Sequence, residues 1–141
     1  MASPREALQE PAHKAEQWYL DWRARRDQMQ SDHNADIRMA ESTTRQAINA
    51  VEAEYHRDME IIAVSGRESI SLVEEHMIEK KNLKIKDLQE QLQENLHRMQ
   101  RHFDKLLLKH TEEFSDFMMD RIKAAAPYIG VSGIMQMPCP A

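Results

Sequence analysis

From Ala12 to Ala126 the sequence has no proline and a single glycine, Gly66. Proline costs roughly 3 kcal/mol inside a helix, so its absence removes the strongest stop signal from 115 consecutive residues. Ala, Glu, Gln, Lys, Arg and Met fill that stretch, and all of them favour helix. Unbroken, the helix would reach about 170 Å at 1.5 Å per residue. Aromatics are scarce at 6 %, and the apolar residues stand singly between charges, which make up 30 % of the chain. Such a chain carries a narrow apolar stripe and lacks the side chains for one thick core of its own.

Other absences narrow the function. One cysteine, Cys139, excludes an internal disulfide framework and fits a reducing compartment. No apolar run is long enough to cross a bilayer, so a membrane partner is not expected. The opening "MASPREALQEP" has no apolar targeting segment, and Glu6 and Glu10 argue against a mitochondrial presequence. The expectation is a soluble intracellular protein, cytoplasmic or nuclear. A net charge of −5 gives no footprint for phosphate backbones. The basic runs "WRARR" (22–26) and "EKKNLKIK" (79–86) then read as solvated helix faces, and no nucleic-acid partner is expected.

Chemistry is equally sparse. There is no nucleophile with a base at readable spacing, no glycine-rich phosphate loop and no carboxylate pair in an apolar setting. Seven histidines invite a metal reading. Glu94 and His97 have the Glu-x-x-His spacing of di-iron bundles, but that chemistry needs a second such pair and two further glutamates. With Leu96 on the apolar stripe, both residues point away from it. The sequence therefore predicts no catalytic residue, no metal site, no cofactor and no enzyme.

The five prolines, at 4, 11, 127, 138 and 140, divide the chain. Residues 1–11 read as a disordered leader and 12–126 as helix. Residues 127–141, "PYIGVSGIMQMPCPA", read as an uncharged non-helical tail.

Within the helix the stripe has two rhythms. From about 29 to 77 it counts in elevens: His33, Ile37, Ala40; Thr44, Ile48, Val51; Tyr55, Met59, Ile62; Gly66, Ile70, Val73. Eleven residues in three turns keep a stripe facing one way on a nearly straight or slightly right-handed supercoil. From about 78 to 122 it counts in sevens through Ile78, Ile85, Leu92, Met99 and Leu106, with Leu88, Leu96 and Phe103 beside them. Four-residue steps interrupt the sevens between Leu88 and Leu96 and again after His110. The fold class predicted is all-α: a long, largely continuous amphipathic helix forming a coiled coil.

Gly66 tests that continuity. It falls within "AVSGRESIS", where Ser65 and Glu68 could form a capping box that starts a new helix after a turn. Against a hairpin stands the period. Folding at Gly66 would lay elevens against sevens, and stripes of different period drift apart around their helices. The sequence thus favours parallel, in-register chains, with a helical hairpin near Gly66 as the alternative. The weak points of the helix are 65–66 and 31–36, where "SDHNAD" prefers caps to helix interiors.

The function expected is that of a non-enzymatic structural scaffold, acting through a parallel homodimer or trimer or by pairing with a helical partner. Its interface residues would be Ile37, Ile48, Val51, Met59, Ile62, Ile70, Val73, Ile85, Leu92, Leu96, Met99, Phe103 and Leu106. Trp18, Tyr19 and Trp22 are candidates for partner docking, because Trp, Tyr and Arg dominate binding hot spots. His110, a polar residue on the stripe, is a candidate register or pH element, since a buried imidazole resists charging. Gly66 is the candidate hinge. Two other readings of the stripe are a reversible lipid-surface helix and a subunit of a larger heteromeric helical complex.

Overall fold

In a computed structural model of the protein, the described backbone covers residues 4–65 and 70–129, with side chains described at 12–65 and 71–126. It is all-α: α1 runs Pro4–Val64, α2 runs Ile70–Ile129, and no strand occurs among the described residues. The helical territory is wider than the prolines suggested. α1 already includes 4–11, with Pro4 in the first turn, where its missing N–H has no intrahelical partner to lose. α2 passes Pro127 by two residues, and "SDHNAD" is helical throughout. Residues 130–141, most of the expected tail, lie outside the described residues.

The continuous helix is corrected. α1 ends at Val64, and Ser65 closes it. The Ser65 backbone N–H is shared between the carbonyls of Ile61 (3.1 Å) and Ile62 (3.2 Å), and its hydroxyl donates to the Ile62 carbonyl at 2.8 Å. Such a bifurcated bond satisfies carbonyls that a helix end would otherwise leave unpaired. Gly66, the candidate hinge, and Glu68 lie outside the described residues, as does the side chain of Ile70.

The chain forms two compact units, one built from 1–30 and 104–141, the other from 31–103. In the 31–103 unit the two helical segments run antiparallel. His33 lies against Phe103, with ring centroids 4.1 Å apart and planes 4° from parallel, whereas Glu54 pairs with Lys84 at 3.8 Å. The Lys81 ammonium sits 4.5 Å from the Tyr55 ring centre. In the 1–30/104–141 unit the segments are again antiparallel: Trp18 stacks on Phe117 and Arg25 reaches Glu113. Within each unit, then, the stripe of one helical segment faces the other helix of the same chain.

The mismatch of periods that argued against a hairpin disappears in the burial pattern of α2. Its inward residues fall at Lys81, Leu92, Phe103 and Phe114, at Ile85, Leu96 and Leu107, and at Met77, Leu88, Met99 and His110. Each row advances by eleven. A seven followed by an inserted four is an eleven, so the inserted fours fall in step with these rows. Leu106, assigned to the sevens, is correspondingly 39 % exposed, and Leu107 turns inward instead.

Candidate interaction surface

The described residues that are buried are Ala15, Trp22, His33, Phe103 and His110. Of the other expected interface residues, Ile37, Ile48, Val51, Met59, Ile62, Val73, Ile85, Leu92, Leu96 and Met99 are half-buried on the facing sides of α1 and α2. No side chain is fully buried among the described residues. This is what two helices alone can do: each inward residue is covered from one side and left open at the flanks of the seam.

The best-enclosed group is aromatic and belongs to the 1–30/104–141 unit. Trp22 stacks on His110 with centroids 4.3 Å apart and planes 6° from parallel, and its indole N–H donates to the His110 carbonyl at 2.8 Å. Trp18 stacks on Phe117 at 3.8 Å and 8°. Phe114 lies among Trp18, Tyr19 and Trp22, with centroid distances of 6.3, 6.0 and 4.9 Å. The three docking candidates therefore divide: Trp22 is core, Trp18 is half-buried, and Tyr19 is 40 % exposed. Trp18 and Trp22 are four apart and so share the face of α1 that meets α2.

His110 is 5 % exposed, and its Nε2 has no hydrogen-bond partner. An unsatisfied buried nitrogen costs about 1–3 kcal/mol, whereas an apolar replacement of the same shape avoids that cost. His110→Phe keeps a flat ring against Trp22 and removes the nitrogen. The expected result is a gain of about 1 kcal/mol in the tryptophan-detected melting of this unit. A loss of that size would mean that the imidazole nitrogen is satisfied by a bound water or partner group.

The two flanks of this unit's seam differ in kind. On one, Arg25 meets Glu113 at 3.6 Å. On the other, Tyr19 meets Phe114 edge-on. Helical spacing assigns the neighbours on α2. Lys109, Asp116 and Asp120 share the side of Glu113. Leu107, Thr111, Ser115, Met118 and Ile122 share the side of Phe114 and are uncharged; Arg121 stands at its edge, and on α1 the Tyr19 side also carries Arg26, whose guanidinium lies 6.0 Å from the Trp22 ring centre. Thr111 spends its hydroxyl on the Leu107 carbonyl at 2.9 Å, so that flank presents little polar demand. Met118 and Ile122 are 42 % and 47 % exposed. Reading the stripe as a seam one or two residues wide missed this flank. Its signal in the sequence is the uncharged run at spacings of three and four through 107, 111, 114, 118 and 122.

Elsewhere the described surface is mixed, with Met39, Ile61, Leu72 and Leu83 exposed among charged and polar residues. Glu94 and His97 are exposed, and no group of three or more His, Cys, Asp or Glu is placed to hold a metal among the described residues. The grooves of the 31–103 unit are lined by mixed side chains such as Thr43, Thr44, Gln91, Asn95 and Arg98. No described helix is long and apolar enough to cross a membrane. The chain matches no protein-family model, no curated protein and no solved structure.

Proposed function

We propose that the protein is a non-enzymatic helical scaffold whose paired helices complete their burial against further helices, in the first instance those of a second copy, in a coiled-coil arrangement built on eleven-residue repeats. The observation that carries this reading is incomplete burial. Among the described residues only Ala15, Trp22, His33, Phe103 and His110 are buried, and the other inward residues of each unit stay half-buried. Two antiparallel helices with matched stripes supply half of a four-helix bundle, whose core needs inward positions from every helix. Aromatic and aliphatic side chains left at the seam's flanks are the surface that such a partner would cover.

The test is the mass of the purified full chain by light scattering across a hundredfold range of concentration. A concentration-dependent dimer or higher oligomer is expected, with thermal stability rising as concentration rises, because association stabilises the folded form by mass action. A chain that stays monomeric throughout and melts cooperatively at one temperature would remove self-association from the account.

A further inference from the structure

We infer that a second copy of this chain docks, antiparallel, on the flank formed by the uncharged residues Tyr19, Leu107, Thr111, Phe114, Met118 and Ile122. This rests on the self-association reading above and specifies its surface, its orientation and its symmetry. The flank is continuous with the aromatic core, because Phe114 touches Tyr19 on one side and Trp18 and Trp22 on the other. Its counterpart on the opposite side of the seam is charged and partly closed by the Arg25–Glu113 pair.

The occupant is argued from self-complementarity. A two-fold contact brings each residue against the residue equally far from the axis on the other copy. On α2 the stripe is balanced about the Phe114–Ser115 step: Leu107 lies as far before it as Ile122 lies after it, and Thr111 as far before as Met118 after. On α1 the corresponding centre is Tyr19–Leu20, and Tyr19 contacts Phe114, so the two centres lie at the same level of the unit. Around the α1 centre stand Glu16 on one side and Arg23 at the same separation on the other. Both are exposed, and neither is in an ion pair among the described residues. An axis through this level, lying across the two helices, sets α1 against α1 and α2 against α2, each antiparallel. Glu16 of one copy then meets Arg23 of the other, twice per dimer, while the α2 stripes meet with no like charges opposed. Every helix has antiparallel neighbours, the up-down order of a four-helix bundle. A parallel dimer would instead place Glu16 beside Glu16 and Arg23 beside Arg23.

The experiment follows the dimer dissociation constant of the full chain by sedimentation, with helix content recorded by circular dichroism. Met118→Lys together with Ile122→Lys places four like charges in the contact, and a hundredfold or greater weakening is expected with helicity retained. Met119→Lys, on the outer side of α2, is the control and should leave association unchanged. Glu16→Arg and Arg23→Glu should each weaken the dimer several-fold, and the double exchange should restore it, because only a two-fold antiparallel contact pairs those two positions. A wild-type chain that is monomeric would overturn both this inference and the self-association reading. A wild-type dimer indifferent to the paired lysines would overturn the inference alone, and a dimer lost to the lysines but unrestored by the double exchange would overturn its antiparallel axis.

Discussion

Replacing Trp22 by alanine is expected to cost roughly 3–5 kcal/mol, the range for deleting a large buried aromatic side chain. The residue is 8 % exposed, stacks on His110 and donates the buried bond to the His110 carbonyl across the seam. Its loss removes the transfer free energy of the ring and leaves a gap that His110 and Phe114 can only partly close. Trp22→Phe separates the contributions. It keeps most of the apolar area and forfeits the indole N–H, so a loss of about 1 kcal/mol from the bond itself is expected, with some further packing loss. The measurement is denaturant unfolding followed by tryptophan fluorescence and by far-ultraviolet circular dichroism in parallel. In the alanine variant Trp18 is the remaining fluorophore, and it lies in the same unit, so its signal tracks the damage locally. An alanine variant as stable as the parent would show that the aromatic cluster is not what joins α1 to α2 there.

Phe103→Ala should be comparably damaging in the 31–103 unit, again about 3–5 kcal/mol. Phe103 is 6 % exposed, and its ring lies flat on His33, itself 9 % exposed. A double-mutant cycle with His33→Ala isolates the stacking from general burial, and a coupling of about 0.5–1.5 kcal/mol is expected for the ring pair. Helix content at fixed denaturant is the appropriate reading, because this unit contains no tryptophan. A coupling indistinguishable from zero would mean that the two rings are neighbours without mutual dependence.

These two residues also mark what the sequence could and could not tell. The inward rows of α1 are legible directly: Ile37, Ile48, Val51 and Ile62 recur at the helical spacing, and the structure leaves each half-buried. The helical class follows from missing prolines. The end of α1 was harder, because its local signals, Gly66 and the Ser65–Glu68 capping box, were set against the mismatch of periods. Ser65 is common in helices, and only its bonds to Ile61 and Ile62 show α1 ending there. The period argument failed for a specific reason. Counting α2 in sevens made Leu106 an inward residue and turned the inserted fours into defects, whereas Leu107 and His110 show that the fours belong to the repeat. The places of His33 and His110 on the stripe were legible from the period, but their ring partners were not. Hydropathy cannot reveal that His33, inside "SDHNAD", and His110 each lie flat on an aromatic ring supplied by the other helix. Such a ring partner comes from far along the chain, and a single helix period carries no record of it.

The Trp22–His110 bond joins residues 88 positions apart. Closing so long a loop carries an entropic cost that grows with its length, whereas pairs such as Glu54 and Lys84 close a much shorter one. At the 5–20 residues per second typical of ribosomes, the tryptophan-bearing segment of α1 waits roughly 4–18 s before its counterpart is even synthesised. The order of synthesis thus sets a delay of seconds between the making of Trp22 and the closing of its bond to the His110 carbonyl.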